Sequence, residues 1–96
     1  MMKPINPQIE CHDGFTISVQ GSSFNYSLPR EDDPHTPYTH VECGYPSSTP
    51  LTKRLRKYAE RLGAGYTDTV YGYVPIEVVE SELDSHGGIR KGKLPQ

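Results

Sequence analysis

Residues 49–63, "TPLTKRLRKYAERLG", place Lys53, Arg54, Arg56, Lys57 and Arg61 within nine positions. Guanidinium and ammonium groups gathered like this do electrostatic chemistry, holding carboxylates or phosphates of a partner. On a helix, Arg54, Lys57 and Arg61 fall on one ridge and Lys53 and Arg56 on a second. Glu60 is the only acid among them and can pair locally with Arg56 or Lys57, which leaves surplus positive charge. Arg90, Lys91 and Lys93 offer a second basic contact. Tyr71 and Tyr73 offer a stacking surface for bases if their face is open, although no RNA-recognition signature accompanies them. The competing reading is a solvated helix face, neutralised by Glu77, Glu80 and Asp84 within one molecule or across a homodimer.

Other chemistry has weaker motifs. "ECHDG" supplies Cys11, His12 and Asp13, and "HVEC" supplies His40 and Cys43, so the ligand types of a tetrahedral zinc site are present. Their spacing is not that of a zinc knuckle. His40 and Cys43, three apart on a strand, point to opposite faces, so we expect a wet histidine and a buried cysteine, with no metal and no cofactor. Glu31, Asp32 and Asp33 lie in a solvated acidic loop without the ligand spacing or the glycine of a calcium loop. Cys11, Cys43 and several serines are possible nucleophiles, yet no nucleophile elbow, phosphate-binding loop, dinucleotide fingerprint or metalloprotease helix is present. We expect no catalytic residues and a non-enzymatic protein.

These residues must be positioned by a small scaffold. A chain of 96 residues supports one modest core, and we expect a single domain over 1–96. Nine glycines and nine prolines imply many loops, while seven tyrosines can bury rings and keep their hydroxyls wet. No apolar run approaches the roughly 20 residues of a membrane span, and the first residues do not resemble a secretory leader. Two cysteines are too few for a disulfide framework and fit a reducing compartment; a Cys11–Cys43 bridge is conceivable but nothing requires it. We therefore expect a cytoplasmic protein without a membrane.

Charge is blocked along the chain. Residues 1–48 carry a net of −4, residues 49–62 a net of +4, residues 63–89 a net of −5, and the tail adds Arg90, Lys91 and Lys93, giving −2 in total. Blocks of this kind shape association more than fold.

Residues 1–13 hold Pro4 and Pro7 and read as a loose N-terminal arm. Phe15, Ile17 and Val19 alternate, as do Phe24, Tyr26 and Leu28, and Gly21-Ser22 between them predicts a hairpin. Residues 38–46, "YTHVECGYP", read as a third strand with Thr39, Val41 and Cys43 inward. Thr49 as cap, Pro50 at the first position and Gly63 as terminator predict a helix whose buried stripe is Leu51, Leu55, Tyr58, Ala59 and Leu62. Residues 67–74, "TDTVYGYV", read as a fourth strand, with Val70, Gly72 and Val74 on one face and Thr69, Tyr71 and Tyr73 on the other. Pro75 opens a second helix, with Ile76, Val79 and Leu83 buried and Gly87-Gly88 stopping it. Residues 90–96 read as a basic flexible tail. The order predicts an α+β fold: a small, mostly antiparallel sheet of about four strands with two helices on one face.

The segments "PYTHVECGYPS" and "DTVYGYVPIEVVESELDSHGGI" resemble stretches of small proteins encoded by bacteriophages and prophages. The resemblance covers about half the chain and carries no catalytic motif. It implies a stoichiometric inhibitor of a bacterial defence or host complex, as anti-CRISPR proteins are, acting in the host cytoplasm. The chain lacks the strongly acidic composition of the DNA-mimicking members. The partner-binding residues expected are Lys53, Arg54, Arg56, Lys57, Arg61, Arg90 and Lys91. The alternatives are a small nucleic-acid or nucleotide-binding module and, third, a zinc-stapled or metal-dependent domain.

Overall fold

The computed structural model describes residues 5–60 and 65–96. Five strands and two helices follow one another as β1 (Ile9–Cys11), β2 (Thr16–Gln20), β3 (His40–Gly44), α1 (Lys53–Arg56), β4 (Val70–Pro75), α2 (Ile76–Ser85) and β5 (Ile89–Lys91). The strands form one sheet in the order β4-β3-β2-β1-β5. Every neighbouring pair is antiparallel. The fold is the expected α+β arrangement with one strand more.

The inward residues follow the pleat. Ile9 and Cys11, Ile17 and Val19, and Val41 and Cys43 are buried, and the residues between them are partly open. They form one core with Leu55 of α1 and Val78, Val79 and Leu83 of α2. Removing each such aliphatic side chain from water is worth about 1.5–3 kcal/mol, so α2 is held to the sheet by its apolar stripe. Glu77, Glu80 and Asp84 face outward as its periodicity predicts. Gly87 and Gly88, at φ +88° and +85°, close α2 in the left-handed region that glycine tolerates. The Gly88 amide donates back to the Leu83 carbonyl at 2.9 Å.

The expected loose arm and flexible tail each contribute to a strand of the sheet. Ile9–Cys11 is an inner strand between β2 and β5, and Ile89–Lys91 is the edge strand that pairs with it. Further out, Asn6 Nδ2 donates to the carbonyls of Val19 at 3.1 Å and Lys93 at 2.9 Å. The Asn6 amide and carbonyl both engage the Gln20 side chain. Pro4 and Pro7 suggested an arm because proline cannot donate to a ladder, but the strand pairing begins at Ile9, past both prolines.

The predicted hairpin is also replaced. Residues 22–28 form turns, because Ser22 Oγ donates to Asn25 Oδ1 at 2.6 Å and accepts the Phe24 amide at 3.0 Å. Local serine and asparagine bonds of this kind compete with strand pairing. Phe24 stands 66% exposed and only Leu28 bridges to the sheet, at His40. The true partner of β2 is β3, with Val19 opposite Cys43.

The basic helix is one turn long. Thr52, not Thr49, is its cap, and its hydroxyl accepts the Leu55 amide at 3.2 Å. Leu51, predicted to be buried, is 58% exposed, whereas Leu55 is fully buried. The chain then leaves helical geometry because the outer edge of β4 captures it: Ala59 bridges Tyr71, and the Glu60 amide donates to the Val70 carbonyl at 2.9 Å. Tertiary pairing here overrides a strong local helix propensity. Arg61, Leu62 and Gly63 lie outside the described residues.

Candidate functional site

The basic turn is fixed in place by a buried acid. Glu82, on the inner side of α2, is 1% exposed and accepts from the Leu51 amide at 2.8 Å, the Thr52 amide at 3.0 Å and the Thr52 hydroxyl at 2.8 Å. It thereby occupies the donors that open α1. His86, one turn later on α2, sets its Nε2 2.7 Å from Glu82 Oε2 and its Nδ1 2.7 Å from Asp13 Oδ2. Both ring nitrogens of His86 thus face carboxylate oxygens. The Phe15 ring lies flat on it, 3.7 Å away and 4° from parallel. Asp13 is oriented in turn, its other oxygen accepting the Phe15 amide at 2.9 Å.

Three distant segments are thus joined: the β1–β2 turn, the end of α2 and the start of α1. Burial pushes the Glu82 carboxyl upward, but the Leu51 and Thr52 amides, His86 and the Thr52 hydroxyl outweigh it and hold the group below the usual carboxylate range. The Phe15 amide first, then His86, does the same for Asp13. Because both ring nitrogens face carboxylates, His86 presents no free nitrogen to an incoming molecule. The cluster is therefore a cross-link that positions the basic turn. Nothing in the residue types singled out Glu82 or His86 beforehand. The signal available was their i, i+4 spacing, with Glu82 on the same helix face as Val78 and Val79.

The expected contact residues are distributed as follows. Lys53, Arg54 and Lys57 project from the turn exposed, and Lys57 Nζ stands 5.7 Å from the centroid of the Tyr58 ring. Arg56 is turned back on its own loop, its Nη1 donating to the Pro50 carbonyl at 2.7 Å. Among the described residues, Lys53, Arg54, Arg56 and Lys57 enter no ion pair. Among the described residues, Glu77, Glu80 and Asp84 on the outward face of α2 form no ion pair with them; Glu82, from the inner face, reaches the Leu51 and Thr52 amides and the Thr52 hydroxyl. Arg61 lies outside the described residues. Arg90 and Lys91 sit on β5, at the opposite sheet edge from the β4 strand that Ala59 joins, and Arg90 Nη1 pairs with Glu10 at 2.5 Å. They do not complete one surface with the turn by way of the β4 edge.

The predicted stacking pair is split. Tyr71 is fully buried and its hydroxyl donates to the Tyr66 carbonyl at 2.5 Å, so it offers no face to a ligand. A bulge between the Val41–Val74 and Cys43–Tyr71 pairs sets two residues of β4, Gly72 and Tyr73, against Glu42 alone. That extra residue breaks the alternation, lets both Tyr71 and Val74 point inward, and turns Tyr73 outward at φ +50°. Tyr73 stacks instead on Tyr26, with ring centroids 5.6 Å apart.

Comparison with family models, curated proteins and solved structures gives no match. The metal reading finds no support in the side-chain placement: among the described residues, no group of three or more His, Cys, Asp or Glu could hold a metal ion. Cys11 and Cys43 are free and buried on strands separated by β2. Burial, then Asp13 and Glu82, raises the Cys11 thiol, and burial raises the Cys43 thiol far above its ordinary value. No helix among the described residues is long and apolar enough to cross a membrane.

Proposed function

We propose that the chain is a non-enzymatic binding protein whose working surface is the basic turn. Lys53, Arg54 and Lys57 engage an acidic or nucleic-acid-lined surface of a host complex and occlude its natural ligand, the mode of a phage-type, anti-CRISPR-like inhibitor. The observation that carries this reading is that the three cations stand in solvent, free of ion pairs among the described residues, on a turn anchored by Glu82. A merely solvated face needs no such anchor, since flexible lysines and arginines are hydrated equally well on a loose loop. Anchoring fixes the charges in a preset arrangement, and preorganisation lowers the entropic cost of binding.

The test is a pull-down from bacterial lysate with the wild type and with a variant carrying Lys53→Glu, Arg54→Glu and Lys57→Glu. A stoichiometric partner retained by the wild type and lost by the folded variant is the expected result; equal retention by both would sink the proposal. Titration with oligonucleotides separates the nucleic-acid form of this reading, because phosphate contacts release counterions and weaken steeply as salt rises.

A further inference from the structure

The flank of α2 turned away from the basic turn carries a trough. At about 3.6 residues per turn, Ile76, Glu80, Leu83 and Asp84 share one side of the helix, whereas Glu82, which holds the start of α1, projects from the other. Two cavities open along the first side, of about 520 Å³ and 440 Å³. Pro34, Pro37, Ile76 and Pro95 line the larger and Leu83 and Ile89 the smaller, while Leu94 lines both and makes them continuous. The apolar lining is within reach of solvent, since Ile89 is 38% exposed and Ile76 and Leu94 are only partly buried against the core. Both walls opposite the helix are fixed. The Tyr38 hydroxyl donates to the Glu31 carbonyl at 2.6 Å and steadies the proline loop, and Asn6 Nδ2 holds the Lys93 carbonyl beside Leu94 at 2.9 Å.

The helix side of the trough is acidic. Glu80 and Asp84 line it, stand exposed and enter no ion pair among the described residues. No lysine or arginine among the described residues lines either cavity, and Lys93 lines a different one with Ile5 and Pro7. An apolar floor beside unpaired carboxylates selects apolar side chains flanked by cations. Spacing narrows the class further. One helical turn sets Glu80 and Asp84 about 6 Å apart along the axis, and alternate residues of an extended chain stand about 6.6 Å apart on one side. A strand with cations at alternate positions therefore meets both carboxylates, and the residue between them turns its side chain to the opposite wall.

We infer that this trough binds an extended segment of a partner protein in which lysines or arginines alternate with apolar residues. The cations bond Glu80 and Asp84, and the apolar side chain between them packs on Ile89 and Leu94. The trough uses no residue of the basic turn and stands whether or not that turn binds an acidic surface.

The test is an NMR titration of the full chain with the capped peptide Lys-Leu-Lys-Leu-Lys and its counterpart Lys-Ser-Lys-Ser-Lys at equal ionic strength. The two probes carry the same charge, so screening acts on both alike. Amide shifts concentrated at Glu80, Leu83, Asp84 and Ile89, with affinity about tenfold weaker for the serine peptide, are the expected result. A variant carrying Glu80→Lys and Asp84→Lys, both at exposed positions, keeps the fold and binds the leucine peptide at least about tenfold more weakly. Equal affinity for the two peptides, shifts scattered away from the trough, or unchanged affinity in the folded variant would each overturn the inference. So would shifts at Asp84 and Ile89 together with Lys53 and Arg54 when the protein alone is concentrated, because they would give the trough to the basic turn of a second copy. Neither cationic peptide reports on Lys53, Arg54 or Lys57 as a contact for acidic surfaces, so failure here is separate from failure of the basic turn.

Discussion

The side chain on which most depends is Glu82. It carries a charge inside the fold and is tolerated there because three hydrogen bonds and the facing imidazole compensate for its lost hydration. Glu82→Gln keeps the size but loses the charge, and it leaves the His86 ring and the Leu51 and Thr52 amides partnered by a neutral amide. We expect a loss of about 3 kcal/mol in urea unfolding, and exchange of the Thr52 amide to accelerate. Asp13→Asn loosens the same bridge at its half-exposed end and should cost less. Both carboxyls have folded-state values below their unfolded ones, so their contribution is fully present above the unfolded values and is lost as pH falls through the folded values. Thermal unfolding should therefore show a plateau above roughly pH 5 and a decline beginning near pH 4, set by ordinary carboxylate values of about 4. In Glu82→Gln that decline is shallower; an identical slope would show that the buried acid is not what titrates.

At the scale of elements, Leu51 and Leu55 distinguish a long amphipathic helix from the single turn observed. A helix over 51–62 buries both, whereas the structure leaves Leu51 largely in water and Leu55 in the core. Leu55→Ala should cost about 2–5 kcal/mol, and Leu51→Ala within about 0.5 kcal/mol; comparable losses for the two would restore the long helix. Legibility followed the reach of the interactions involved. Strand β3, the apolar stripe and glycine stop of α2, and the inward Ile17 and Val19 were readable, because periodicity and turn residues act within a few positions. The capture of Ala59 by β4, the pairing of Ile9 with Ile17 and the bulge at Gly72 were not, because each is decided by a partner elsewhere in the chain. Of the candidate site, the cations were plain in the sequence. Their anchor was not, since Asp13 and His86 meet across 73 positions, and the division of Tyr71 from Tyr73 depends on one inserted residue.

For the molecule as a whole, the blocked charge of the sequence survives folding on exposed faces: a basic turn whose Lys53, Arg54 and Lys57 enter no ion pair among the described residues, and an outward acidic face on α2. Unlike charges that remain unpaired in the monomer are available to a partner of complementary charge. The two ends of the sheet are treated differently. One edge, β4, is partly shielded by the chain's own Ala59–Glu60 backbone and by Tyr26; the other, β5, is three residues long and exposed throughout, with Arg90 and Lys91 on it. An open ladder with unpaired amides is a template for strand addition between molecules, and short length with side-chain charge discourages it. Arg90 and Lys91, expected as contacts for a partner, thus also act as gatekeepers against fibrillar growth. Replacing both with threonine should raise light scattering on prolonged incubation while leaving the melting temperature of the fresh protein nearly unchanged, because the substitutions expose a sticky rim without touching the core.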